Sequence, residues 1–368
     1  MRGVSAAALF LAVLLTAPCL HAAPLEAIRD ILRRHLLNPP GEAALAALSE
    51  ENLATKLRDI DPYARIFSAA EYGALTAARH AWVGIGAGLS LRGPMPILHV
   101  YRGGGADRAG VPDRVRLLEI DGRPVAGLDA ESIALRLRGE EGSTVRLTVS
   151  LPGGGTKHFS VRRESFTPLD VEVIPPGEQR LVRIRDFVGG VTRPALRATL
   201  DFLARTASTR EAAPLIIDLR DALGGDLYEA FDLAGMFLPA GAVLGIVRGR
   251  DGYSMEVHAP PGDKFTMPLI LLVGPETASA AEIFAGILQR TQRAALVGRP
   301  TFGKCVSQTD ARLSDGSVLR YTNKEVLFPG GDTCTGTGLT PDLLVAEDEM
   351  DSLPRLLERV QGFVRKHP

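Results

Sequence analysis

A chain of 368 residues, 45% hydrophobic and 23% charged, has material for two or three packed domains and is too apolar to be disordered. Its formal net charge of −1 leaves no basic footprint for a nucleic-acid partner, so none is expected.

Met1-Arg2, the apolar stretch Ala6 to Ala17 and the small residues around Ala22-Ala23 read as a charged start, an h-region and a cleavage site. Residues 1–23 are therefore expected to be a signal peptide cleaved near Ala22 or Ala23, giving an exported, periplasmic protein. The competing reading is an N-terminal anchor, for which the run is short of the ~20 apolar residues of a span. Cys19 also admits lipoprotein processing, although Pro18 before it fits that signal poorly. No other stretch is long enough for a membrane span.

Residues 24–78 read as helical. Leu25, Ile28, Ile31 and Leu32 share a face, Asn38-Pro39-Pro40 ends that helix, a second begins at Ser49 with Leu53 and Leu57, and Asp61-Pro62-Tyr63 forces a turn. Residues 79–165 change to short alternating strands, Ile97 to Tyr101, Arg116 to Ile120, Val145 to Val149 and Phe159 to Val161, with one helix over 129–138. That texture predicts a small β-rich barrel or sandwich. The glycine-rich run Gly84-Ile85-Gly86-Ala87-Gly88-Leu89 opens it, and its N–H groups could hold a peptide carboxylate while the next strand edge pairs with the peptide.

Residues 166–368 alternate uniformly apolar strands with helices. Pro214 to Arg220 leads through Gly224-Gly225 into a helix from Leu227 to Leu238, and Pro268 to Val273 leads through Thr277 into a helix from Ala280 to Arg290. Strands apolar on both sides belong to a sheet covered on both faces, so the class is α/β.

Ser279 and Lys304 carry the chemistry. No histidine lies near either in sequence, so an amine would have to take the serine proton, and it can do so only when neutral. Burial lowers a lysine from its ordinary value of about 10.4 and populates the free base. Ser279-Ala-Ala-Glu282 is also a capping box, which gives Ser279 a purely structural alternative. The same position places a hydroxyl at the positive end of a helix beside the Ala280 N–H, a donor able to stabilise an oxyanion.

Gly298 to Cys305 nearly matches the phosphate-binding pattern G-x-x-x-x-G-K-[ST]. The residues after it alternate like strands and contain Asp315-Gly316 as a hairpin turn, where a phosphate loop needs a helix. A strand from Lys304 puts Lys304, Val306 and Gln308 on one face and Cys305 and Ser307 on the other. Gln308 is then a neutral neighbour that orients the amine without raising its pKa. Gly224 and Gly225 are a second candidate for oxyanion donation, or simply a tight turn. His35, His80, His99, His158, His258 and His367 share no ligand spacing, so neither a metal nor a cofactor is expected. Once Cys19 is removed, Cys305 and Cys334 remain, as a disulfide or as two separate thiols.

Together these segments resemble the C-terminal processing peptidases, or tail-specific proteases. The resemblance rests on Asp61 to Phe67, Gly84-Ile-Gly86, Ile120-Asp-Gly122, Arg138-Gly139, Asp218-Leu-Arg220 with Gly224-Gly225, Ala278-Ser-Ala280 with Glu282-Ile283, Thr301-Phe-Gly-Lys304 with Gln308, and Gly338 to Asp342. It implies a ClpP/crotonase-like catalytic core with an inserted PDZ domain, and an exported serine endopeptidase acting on C-terminal tails of proteins or peptides. By that resemblance Ser279 is the nucleophile, Lys304 the base, Gln308 its orienting partner, and Ala280 with Gly224 or Gly225 the oxyanion donors. Gly84, Ile85, Gly86 and Ala87 would bind the peptide. Departures from the pattern are Ala281, Cys305, which suggests a disulfide with Cys334, and Arg114-Val115 where the PDZ loop ends in Gly-Asp. The alternatives are a catalytically silent PDZ-containing scaffold and an acyl-CoA enzyme of the same core; a homodimer is a further possible partner of the peptidase.

Overall fold

The computed structural model describes residues 25–77, 82–90, 95–128, 130–151, 154–174, 180–206, 214–262 and 264–366. The expected signal peptide, Cys19, His80 and His367 lie outside them. Two compact units are present: the residues up to Tyr72 together with Asp310–Tyr321, and Gly73–Thr309 together with Thr322 onward.

In the first unit, helices Leu25–His35, Glu42–Ala46 and Leu53–Ile60 bury Ile28, Leu32, Leu36, Leu45, Leu48, Leu53 and Leu57 in one cluster with Leu313, Leu319 and Tyr321. The second helix does not begin at Ser49. Asn52 flanks its start, and the Asn52 Oδ1 accepts the Ser49 N–H at 2.8 Å, so the chain turns there before the helix forms. The sequence also missed the one-turn helix Glu42–Ala46, which is too short to show periodicity. The Asp61 turn is present, with Tyr63 N–H donating to Asp61 Oδ1 at 3.0 Å. Strand Arg65–Phe67 pairs antiparallel with residues 318–320 of the strand Val318–Leu327. The tip of a C-terminal hairpin thus completes the N-terminal core, which moves the boundary away from the single cut expected near residue 78.

Within the second unit two six-stranded sheets have separate cores. One is antiparallel, in the order Ala87–Ser90, Ile97–Val100, Val115–Ile120, Thr144–Ser150, Thr156–Arg162, with Arg123–Pro124 added to the third strand. Leu98, Val115, Leu117, Val145, Leu147, Val149 and Val161 point inward at alternate positions and pack on Ile133 and Leu137 of helix Ala130–Leu137. The period-two pattern of the sequence follows from this one-sided burial. Strands Trp82–Gly84 and Glu164–Phe166 pair with each other where the chain enters and leaves this β-rich domain.

The other sheet runs Val171–Val173, Arg180–Ile184, Leu215–Asp218, Leu269–Val273, Ala295–Gly298, Leu343–Leu344; the first pair is antiparallel and the rest are parallel. Its two faces explain the uninterrupted apolar runs. Leu215, Ile217, Leu271 and Val273 face helices Thr192–Thr206, Leu227–Gly235 and Ala280–Arg290, while Ile216, Ile270 and Leu272 face Leu356 and Val360 of helix Leu353–Lys366. Burying both faces of a strand removes the polar alternation that a half-exposed strand needs. The helix after Gly224-Gly225 ends at Gly235, three residues before the expected Leu238, and the chain tightens there through Met236 and Phe237 N–H bonds to the carbonyls of Leu233 and Ala234. Among the described residues no helix is long and apolar enough to cross a membrane.

Candidate active site

Three loops at the carboxyl ends of the parallel strands converge on Ser279, which is where a parallel α/β sheet presents its ligands. Ser279 leaves strand Leu269–Val273 through residues 274–278 and opens helix Ala280–Arg290. Thr277 Oγ1 accepts the Gly274 N–H at 2.9 Å and donates to Leu219 O at 2.8 Å, and Ala278 N–H donates to Ala222 O at 3.0 Å. The serine loop is therefore sewn to the loop after strand Leu215–Asp218. The third loop joins through Phe302 N–H, which donates to Thr277 O at 3.0 Å.

Gly224 is pressed directly against the serine. Its φ is 103°, and a Cβ there would lie 2.8 Å from both Ser279 Cβ and Ala280 N and 2.7 Å from Ala278 O. Gly225, at φ 139°, would collide with Phe187 O at 2.3 Å. Only glycine lets this turn come so close, so the structure brings Gly224, Ser279 and Ala280 together as the sequence expected and seats Gly225 beside them against Phe187.

Glu282 accepts the Ser279 N–H at 3.0 Å, the glutamate half of the capping box. The backbone at Ser279 is not that of an ordinary cap. Ser279 has φ 56° and ψ −123°, whereas an N-cap residue is normally extended. A non-glycine residue in this region carries strain of ~1–3 kcal/mol, and such residues cluster at functional sites.

Lys304 lies two residues before strand Val306–Arg312 rather than within it, yet the expected pairing forms: Lys304 Nζ donates to Gln308 Oε1 at 2.7 Å. Both side chains are half-buried, as is Ser279. The hairpin to Val318–Leu327 turns at Asp315-Gly316, where Asp315 Oδ1 accepts the Ser317 N–H at 2.9 Å. This leaves the phosphate-loop reading of Gly298 to Cys305 without its helix. Cys305 and Cys334 are joined by a disulfide with their Cα atoms 5.3 Å apart, and both are buried.

Sequence reasoning missed the residue that organises the site. Glu282 is fully buried, and its carboxylate takes four donors: Oε1 accepts the Thr301 hydroxyl and the Gly303 N–H at 2.7 Å, and Oε2 accepts the N–H of Ser279 and that of Lys304 at 2.8 Å. Its signal was the glutamate of the capping box, but nothing local announced the second loop. Asp218 carries part of the resemblance, which assigns it no role. Buried, it is lowered below the carboxylate range because Arg220 and Arg183 outweigh the cost of burial, with Arg220 Nε at 2.8 Å and Arg183 Nε at 3.1 Å. Arg220 in turn donates to Met350 O, which fixes the start of the loop that carries Gly224.

Ser279, Gly224 and Ala280 thus lie together, Lys304 is bonded to Gln308, and the Glu282 carboxylate holds the backbones of Ser279 and Lys304. Residues 181–345 match the model of peptidase family S41, a span that contains Gly224, Gly225, Ser279, Ala280, Lys304 and Gln308. The chain is 29% identical over 279 residues to a "Probable CtpA-like serine protease" of Staphylococcus aureus, covering 74% of this chain and 54% of that protein. It is 28% identical over 276 residues to the "Carboxy-terminal processing protease CtpA" of Bacillus subtilis, covering 74% and 58%. The chain thus spans little more than half the length of these relatives. Its fold is similar to that of a photosystem II D1 C-terminal processing protease, with a TM-score of 0.61 at 24% identity over 91% of this chain and 94% of the other. By these matches, residues 181–345 form a domain similar to the peptidases of family S41.

Proposed function

We propose that the protein is an exported serine endopeptidase that cleaves protein substrates after engaging their C-terminal tails. Ser279 is the nucleophile, neutral Lys304 the general base, Gln308 the residue that orients the lysine, and Ala280 with Gly224 or Gly225 the oxyanion donors. The observation that carries the reading is the 2.7 Å bond from Lys304 Nζ to Gln308 Oε1, on a loop whose Lys304 N–H shares an oxygen of Glu282 with the Ser279 N–H. The backbone of Ser279 at φ 56° and ψ −123°, unlike the extended backbone of an ordinary N-cap, argues against the silent scaffold, in which the serine would serve only as a cap.

The chemistry is balanced by two proton transfers. Lys304 takes the Ser279 proton as Oγ attacks the scissile carbonyl, the amides hold the oxyanion, and the ammonium returns the proton to the leaving amine. Water then repeats the sequence on the acyl-enzyme and frees Ser279.

The β-rich domain is the tail-binding element and is read as a PDZ domain. Among the described residues Ala87–Ser90 pairs only with Ile97–Val100, at the edge of its sheet, so its other edge can accept an added strand. The loop before it is held tightly: the carbonyls of Ile85 and Gly86 accept the N–H groups of Ala106 and Tyr101, and a Cβ on Gly86, at φ 68°, would meet Gly104 Cα at 2.6 Å. Gly84, Ile85, Gly86 and Ala87 would receive the terminal carboxylate. The buried disulfide supports export to an oxidising compartment.

The test compares wild type, Ser279→Ala and Lys304→Ala on a denatured protein and on a peptide with a free apolar C-terminus. Loss of cleavage in both variants is expected; equal cleavage by all three would sink the reading.

A further inference from the structure

Asp221 and Glu276 occupy equivalent places in the two loops of the site, three residues before Gly224 and three residues before Ser279. Both are removed from solvent, with 6% and 16% of their side chains exposed, and between them stands a side chain of the other domain. His99, on strand Ile97–Val100 of the β-rich sheet, has Nδ1 3.2 Å from Asp221 Oδ2 and Nε2 3.2 Å from Glu276 Oε2. The oxygens lie off the axes of the ring N–H groups, so these contacts are ion pairs more than aligned hydrogen bonds.

Each imidazole nitrogen faces a different carboxylate, and a neutral ring has only one N–H to offer. The arrangement is that of an imidazolium. Burial pushes His99 down, but Asp221 and Glu276 outweigh burial and the opposing charge of Arg114 and lift it to about 9. The charges around it are accounted for: Arg114 pairs with Asp221 Oδ1 and reaches Asp351 Oδ1 at 3.4 Å, and Arg220 acts on Asp221 from the core side. Arg114 makes these contacts from φ 57°, a conformation that favours glycine, so the pairing is kept at the expense of backbone strain.

We propose that His99, seated between Asp221 and Glu276, is a positioning residue for the acyl-transfer site, tying the loop of the oxyanion donors and the loop of the nucleophile to one strand of the β-rich domain. This rests on the peptidase reading above. The amides of Gly224 or Gly225 and of Ala280 must point at one oxygen, and they arrive on separate loops that Thr277 Oγ1 and the Ala278 N–H join beside the serine by bonds to Leu219 O and Ala222 O. An imidazolium bridging both loops adds a second tie from the β-rich domain, and losing the proton releases one carboxylate. Loss of an oxyanion donor typically costs on the order of 10²–10³ in rate, and partial misplacement costs part of that.

The experiment measures kcat and KM of the mature protein on the tailed peptide from pH 6 to 10.5, for wild type and His99→Gln, with Ser279→Ala as the blank at each pH. In wild type the rate should rise as Lys304 loses its proton and fall as His99 loses its own near pH 9. His99→Gln should lower kcat roughly 10- to 100-fold, with KM within about twofold, and should lack the alkaline fall. Wild-type kcat with an unchanged alkaline limb in His99→Gln overturns the proposal. Should that variant fail to fold, NMR titration of the His99 ring in wild type decides. A midpoint that coincides with the fall in kcat supports the role, and a midpoint near or below the ordinary value of about 6.5 overturns it. Turnover that survives in Ser279→Ala would instead mean that the peptidase reading has failed, which is a separate result.

Discussion

Glu282 and Lys304, distant in sequence and on different elements, are joined by the Lys304 N–H donating at 2.8 Å to the same oxygen that holds the Ser279 N–H at 3.0 Å. The proposed nucleophile and base are thus registered through their backbones by one buried carboxylate, before either side chain is considered. Two oxygens offer about four lone-pair sites, and four donors fill them.

Glu282→Gln replaces one acceptor by an amide that donates, so two of the four donors lose their partner inside the protein. An orphaned buried donor costs ~1–3 kcal/mol. We expect a loss of roughly 2–4 kcal/mol in urea-monitored stability and at least a tenfold loss of kcat, with Glu282→Ala worse on both measures. Wild-type kcat in Glu282→Gln would show that the two loops are registered by other contacts.

Much of this site was legible in the sequence because its signals are local. The run Leu269 to Val273 followed by Ser279-Ala-Ala-Glu282 announces a buried strand and a helix start, and Lys304 and Gln308 meet across the start of strand Val306–Arg312, four residues apart. What escaped depends on distant segments. Glu282 looked like a cap because its other partners, Thr301, Gly303 and Lys304, meet it only in the folded chain. Likewise His99, Asp221 and Glu276 belong to three separate stretches, and residues Asp310–Tyr321 carry no mark that they complete the N-terminal core.

Strain at Ser279 is open to measurement. Alanine keeps the Cβ that makes φ 56° and ψ −123° unfavourable, while glycine removes it at the cost of a more flexible unfolded chain. Strain of ~1–3 kcal/mol outweighs an entropic penalty of ~0.4–1 kcal/mol. Ser279→Gly should therefore be more stable than Ser279→Ala by about 1 kcal/mol in thermal or urea unfolding, with both inactive. A glycine variant less stable than the alanine variant would mean that the loop relaxes once the serine is gone.

The disulfide closes a chain segment between Cys305 and Cys334 with a sequence separation of 29, and just outside it Gly336 N–H donates to Gly303 O at 2.9 Å. Constraining an unfolded loop of this length contributes about 3–4 kcal/mol in the chain-entropy model. Because Cys305 follows Lys304 directly, reduction should loosen the base as well as the fold. Replacing both cysteines by alanine is expected to cost 2–4 kcal/mol, in line with the ~2–5 kcal/mol typical of lost native disulfides, and to lower kcat more than it raises KM. A double variant with full stability and activity would reduce the bond to a by-product of proximity.

Stability should also depend on pH through His99, independently of turnover. Its pKa is raised to about 9 in the folded chain, against an ordinary value of about 6.5 in the unfolded one. The folded state binds the proton more tightly, so this contribution is complete below about pH 6.5 and disappears as pH rises through about 9. A shift of that size corresponds to at most roughly 3 kcal/mol. Asp221 works in the opposite window: despite its burial, His99 and Arg114 hold it well below the carboxylate range, so its share is present above about pH 4 and is lost on acidification. Urea unfolding of wild type at pH 6, 8 and 10 should show a decline across the alkaline interval that is absent in His99→Gln. Parallel pH profiles for the two proteins would mean that the ring is neutral in the folded chain, and a neutral ring has a single, uncharged N–H with which to hold only one of the two loops.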